Sequence, residues 1–318
     1  WRAQIDTLKL LALLDQRPGP WTLQLTQPLS LTARTAPSLL VETSAGQATV
    51  AGPQPGQATL RWQPVRYAQT AQGAMQLRTQ GELQGLPTAW ADAFMADGEQ
   101  ALQRLGLGGN LILDGQWDVD AGETLRARAS LRRVDGDLRV LAGELPPTTV
   151  VQSSGQGTAE GAPKAAASAP GTPAGVRQAE VQIDAEGDAV RARVRWDSER
   201  AGRVQAEGST RLARADGGWL WPADAPLAAT ARAQLPDVGV WSALAPPGWR
   251  VKGTLQADVA LSGTRTAPRW SGTLGADQMA VRSLLDGVDL RDGRLRATLQ
   301  GDRLEITEFR VNGGQGSR

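Results

Sequence analysis

The chain has 318 residues, with 34 basic and 33 acidic side chains, a net charge of +1, and neither cysteine nor histidine. That balance removes the electrostatic footprint of a nucleic-acid binder. The missing residue types exclude disulfides, the usual zinc sites and every Ser-His or Cys-His nucleophile, so neither metal nor cofactor is expected.

No window approaches 18 consecutive apolar residues, so no transmembrane helix is expected within this sequence. It starts at Trp1 and stops at Arg318 directly after a strand pattern. We therefore expect a piece of a longer protein, with any anchor or signal segment outside it.

Taken in order, residues 2–16 place Ile5, Leu8, Leu11 and Ala12 at helical spacing ahead of Pro18-Gly19-Pro20, which predicts a short flanking helix. Strands follow. Trp21, Leu23 and Leu25 alternate with Thr22, Gln24 and Thr26, and Leu29, Leu31 and Ala33 repeat the pattern after Pro28. Ala48 and Val50, then Ala58, Leu60 and Trp62, then Met75, Leu77 and Thr79 continue it, with Gly/Pro/Ser turns between. Residues 88–105 change period: Trp90, Phe94, Ala101, Leu102 and Leu105 suit one helical face.

Alternation resumes at Leu111 and Leu113, and again at Leu125, Ala127, Ala129 and Leu131, whose neighbours Arg126, Arg128 and Arg132 point the other way. Asp135-Gly136 fits a hairpin turn. Residues 146–175 are rich in Ser, Gly, Ala, Pro and Thr and read as a disordered loop or linker, too poor in bulky apolar groups to form a core. Its Gly155-Gln156-Gly157 lacks the flanking strand and helix of a phosphate loop. The linker divides the chain into segments 1–145 and 176–318 of what we expect to be one sheet.

In the second segment, Val190, Ala192, Val194 and Trp196 alternate with Arg191, Arg193 and Arg195. The arginine row is better read as a solvated outer face than as a phosphate stripe. Asp114 with Asp118, and Asp184 with Glu186, are the carboxylate pairs a glycosidase would need. Acids on the wet side of strands are ordinarily solvated, so no catalytic residue and no enzymatic activity is expected.

Leu235-Pro236 followed by Trp241 echoes Leu86-Pro87 followed by Trp90, which suggests a long repeat with a second short helix near residues 237–244. One Tyr and two Phe do not supply the aromatic girdles of a membrane barrel. The last stretch is the clearest. Leu255, Ala257, Val259 and Leu261 share one parity, as do Leu295, Ala297 and Leu299, then Leu304 and Ile306.

The order Gly253-x-Leu255, Leu261-x-Gly263, Pro268, Gly272-x-Leu274, Gly293-x-Leu295, Leu304-x-Ile306, Gly314-x-Gly316 resembles the TamB family of AsmA-like envelope proteins, the translocation and assembly module subunits. The match is good over residues 235–316 and thinner over 86–140. The resemblance implies an all-β fold: an elongated, curled, mainly antiparallel sheet forming an apolar groove, with a few short helices.

It also implies a periplasmic protein anchored to the inner membrane, carrying phospholipid acyl chains toward the outer membrane. The implied partner is an outer-membrane barrel protein such as TamA. A scaffold role by β-augmentation, assembling outer-membrane or autotransporter proteins, is the alternative. On the conduit reading, the groove is lined by Leu111, Leu113, Val190, Val194, Trp196, Leu255, Ala257, Val259, Leu261, Leu295, Ala297, Leu299, Leu304 and Ile306.

Overall fold

Period-2 alternation between Gly/Pro turns leaves each segment one apolar and one wet face, and laying such segments side by side is the only way to satisfy their backbones. The computed structural model describes residues 1–12, 19–94, 107–141, 171–215, 217–240, 249–283 and 287–313. They form one large antiparallel sheet that does not close on itself.

The upstream strands are short: β1 (Arg2–Ile5), β2 (Lys9–Ala12), β3 (Trp21–Leu25), β4 (Leu29–Arg34), β5 (Leu39–Thr43), β6 (Gly46–Ala51), β7 (Ala58–Trp62) and β8 (Arg66–Gln69). They pair as two strips, β1–β4–β5–β8 and β2–β3–β6–β7. Both strips join β9 (Met75–Pro87), whose first residues pair with β8 and whose Gly81–Gln84 pairs with β7. Each crossing of the sheet is thus one long strand broken at a crease. Thr26-Gln27-Pro28, Ser44-Ala45 and Gln63-Pro64-Val65 mark it.

Residues 2–16, expected as a helix, contain β1 and β2 instead. Ala3 and Ile5, then Leu10 and Ala12, also satisfy period 2. Ladder bonds to β4 and β3 outweigh a short helix that would have to nucleate alone.

Downstream of β9 the sheet is a plain meander. Its strands are β11 (Ile112–Ala121), β12 (Leu125–Asp135), β15 (Val176–Glu186), β16 (Ala189–Ser198), β17 (Gly202–Arg211), β20 (Ala228–Leu235), β21 (Trp249–Gly263), β22 (Pro268–Ser283), β23 (Val288–Gln300) and β24 (Arg303–Gly313). Each pairs with the next in that order. The remaining short strands make two accessory pieces. One joins β10 (Leu107–Gly109), β13 (Leu138–Val140) and β14 (Thr172–Pro173); the other is the hairpin β18 (Ala213–Ala215) with β19 (Gly218–Leu220).

The expected helix at 88–105 is a 3₁₀ helix over Thr88–Phe94, its remainder lying outside the described residues. Of residues 237–244 only a 3₁₀ turn at 238–240 is described. Most of the expected linker, 146–175, also lies outside them. Its last residues are structural, contrary to expectation: Thr172–Pro173 pairs with β13 and Ala174 is buried. The Asp137 carboxylate explains this, accepting the N–H groups of Gly175 and Val176 at 3.0 and 2.9 Å.

Candidate functional site: an uninterrupted apolar face

Residues directly opposite in a ladder share a face, so the register can be followed strand by strand. One such row runs Leu25, Ala48, Leu60, Leu83, Gly115, Leu131, Val181, Val194, Ala206, Ala231, Val259, Gly272, Leu299, Leu304. It meets no polar side chain. Thirteen ladder steps of about 4.8 Å carry it roughly 60 Å.

The row beside it runs Ala179, Trp196, Val204, Ala233, Ala257, Leu274, Ala297, Ile306. A third links Leu235, Leu255, Ala276, Leu295 and Phe309, and Leu261 stands opposite Ala229 and Trp270.

The expected lining residues therefore share this face, with three qualifications. Leu113, opposite Leu86 and Arg133 between two register shifts, packs against the rim cluster that holds Leu111. Leu111 precedes β11 and is buried in a cluster with Leu138, Ala174, Val176 and Ala201, against which Leu107, Leu113, Ala179, Trp196 and Val240 pack. It belongs to a cap at one rim, because the β10–β13–β14 sheet is held over that end. Val190 lies between Ala185 and Thr210, at the opposite margin.

At mid-sheet the face is open, although Leu25, Ala48, Ala276 and Ala297 of the same rows are buried. Ile183 is 43 % and Val194 36 % exposed, whereas Leu125, at the margin beside the β18–β19 hairpin, is 7 % exposed. On the last strand Leu304 and Ile306 reach 59 % and 58 %. A sandwich core would bury all of these.

Sequence reasoning named none of the upstream contributors Leu25, Leu60, Leu83 and Leu131 as lining. Their alternation was visible but their register was not. It also missed three tryptophan–glycine pairs. A Cβ on Gly46 would lie 2.2 Å from the Trp62 ring, one on Gly81 2.3 Å from Trp117, and one on Gly52 2.8 Å from Trp21. Each indole occupies the space a Cβ would need on its glycine, and Trp117 is aligned by donating Nε1–H to Thr79 Oγ1 at 3.1 Å. Placed against glycines, large side chains line the face without a clash.

The opposite face is charged. Asp114, Arg132, Glu180, Arg195, Gln205, Arg232, Asp258, Thr273, Thr298 and Glu305 follow one another across it. Clefts of about 650 and 750 Å³ open there between upright side chains such as Asp118, Arg128, Asp184 and Arg193. Both alternate arginine with acid, the pattern of a solvated ladder.

The carboxylate pairs singled out by sequence are part of it. Asp114 accepts the Gly85 N–H at 2.8 Å, and Asp184 sits 3.9 Å from Arg128. Further along, Asp277 is held below the ordinary carboxylate range by the hydrogen bond from Arg296, with Arg294 adding to it. Arg296 reaches both oxygens at 2.8 and 3.0 Å. Asp289 is lowered in the same way by Arg291.

Among the described residues no cluster of three or more acidic side chains is placed to hold a metal ion. No helix among them is long and apolar enough to cross a membrane. The chain matches no family model, no curated protein and no solved structure.

Proposed function

We propose that this chain is a segment of a lipid-transfer conduit, carrying phospholipid between inner and outer membrane with its acyl chains along the apolar face. The observation that carries the reading is the unbroken row from Leu25 to Leu304, open to solvent across mid-sheet. Exposing an acyl chain to water costs about 0.8 kcal/mol per CH2, so a sixteen-carbon chain needs roughly 12 kcal/mol of continuous apolar contact. One polar interruption would be a barrier; the row has none.

The resemblance to TamB proteins supports a periplasmic setting, anchoring to the inner membrane outside this segment, and an outer-membrane barrel such as TamA as partner. A second reading, a non-catalytic scaffold accepting strands by β-augmentation, is favoured by β24, which is exposed along almost its whole length.

Two measurements separate them. Phospholipid co-purifying with the protein, identified by mass spectrometry, is expected for a conduit and not for a scaffold. A photo-crosslinker at Leu255, Val259 or Leu299 should capture lipid, and one at Gln256 or Asp258 on the charged face should not. Equal labelling from the two faces, or none from either, rejects the conduit.

A further inference from the structure

We infer that the β18–β19 hairpin is a fastener that fixes the curl of the sheet by joining strands that are not neighbours in the meander. Between β17 and β20 the chain leaves the ladder and docks on turns far upstream. Met75 donates its N–H to Gly217 O at 2.9 Å. Trp219 Nε1–H donates to Gly122 O at 3.1 Å, and Arg214 to Glu123 O at 3.2 Å.

The contact at the tip is backbone against backbone. A Cβ on Gly217, whose φ is +78°, would lie 2.2 Å from Gly73 O, and one on Gly218 would lie 2.7 Å from Met75 Cε. The returning leg is fixed on the other side: Trp221 Nε1–H donates to Thr210 Oγ1 at 2.9 Å, and the Arg265 guanidinium sits 4.9 Å from the Trp221 ring centre. Thr266 N–H donates to Ala223 O at 3.1 Å.

Reach decides what this means. From β17 back to β9 the ladder passes five steps, about 24 Å if the sheet were flat. Arg211 is in register with Arg78 of β9, and Gly73 lies five residues further along, about 16 Å, so on a flat sheet the two would stand roughly 29 Å apart. The chain from Arg211 to Gly217 extends at most about 20–22 Å. Docking Gly217 on Gly73 therefore requires the intervening strands to be curled, and the hairpin holds them so. This stands whatever the apolar face carries.

The test uses spin labels at Gln72 and Asp302, exposed turn residues on the hairpin's rim, in the intact chain and in Gly217→Val and Trp219→Phe. The milder Trp219→Phe keeps an aromatic side chain at that position while removing the indole N–H donor. Release of the hairpin is read independently from amide exchange at Met75, expected to rise about tenfold or more. With release, the label-to-label distance should lengthen and its distribution broaden about twofold, while far-UV circular dichroism keeps its strand signal. An unchanged distance distribution once Met75 exchanges faster would overturn the inference. So would a Met75 amide that stays protected in both variants.

Discussion

The two ends of the sheet bend by different means. Upstream, each crossing is broken into two short strands at a polar or proline-bearing crease, as between β3 and β4. Downstream, β21 to β23 cross in single strands of 13 to 16 residues, bent by bulges. The register shifts at Lys252/Thr254, Ala276/Met279 and Arg291/Arg294, where Gly253, Gln278 and Asp292 have positive φ.

The upstream crease keeps single stitches, such as Leu25 N–H to Leu8 O at 3.0 Å and Gln63 N–H to Gln80 O at 2.8 Å. A bulge gives up one ladder position and keeps the strand; a crease gives up several and frees the two halves to turn. Both leave the apolar row intact. Curvature here is a backbone matter, decoupled from the chemistry of the face.

That contrast can be broken most strongly at Gly253. Its φ is +130°, and a Cβ would meet Asp277 O and Met279 Cα at 2.9 Å. Gly253→Val should cost about 2–4 kcal/mol by urea denaturation. Gly301→Ala, at a positive-φ turn with nothing within 4 Å, should cost only about 1 kcal/mol. Equal losses would show that steric fit at the bulge is irrelevant.

Upstream, the sensitive position is a tile. Gly46→Val should cost about 1–3 kcal/mol by pushing the Trp62 ring off its seat. In a Trp62→Ala background the same change should cost much less, since the three atoms nearest a Gly46 Cβ all belong to the Trp62 ring. Additive losses in the four-protein comparison would reject the tile.

The smallest effect is electrostatic. Asp277 has a folded pKa below its unfolded one because Arg296 and Arg294 hydrogen-bond its charged form. Its contribution is whole above the unfolded value of about 3.9 and is lost as pH falls through the lower folded value. In a stability–pH curve, Asp277→Asn should lower the plateau near neutrality slightly and flatten the acid limb by the same amount, so that the two curves converge at low pH. An unaltered acid limb would mean the pair contributes nothing downstream.

Much of the face was legible in sequence because period 2 is a local property. Leu255 to Leu261, Leu295 to Leu299, and Leu304 with Ile306 needed only parity. What could not be read depends on pairing. Whether Leu131 stands beside Val181 is set across residues 142–170, a span with no alternation to count. Leu111 has the right parity for the face, yet the β10–β13–β14 piece covers it. Residues 2–16 fit helix and strand alike, and only the neighbouring β3 and β4 decide between them. The hairpin left no trace either, since Ala213-Arg214-Ala215 is too short to show a period.

The meander has a kinetic consequence. Downstream of β9 each strand of the meander pairs with its neighbours in that order, so the loops to be closed are short turns except at 88–111, 136–175, 212–227 and 236–248, and contacts are local for an all-β protein. Such a sheet can grow one strand at a time, each finished edge templating the next, as in repeat arrays governed by nearest-neighbour coupling. Melting should then start at the free edges, β1 with β2 and β24, and travel inward. It should stall where the rim cap and the β18–β19 hairpin tie distant strands into one cooperative block. Residues from β9 to β21 would exchange their amides last, and together.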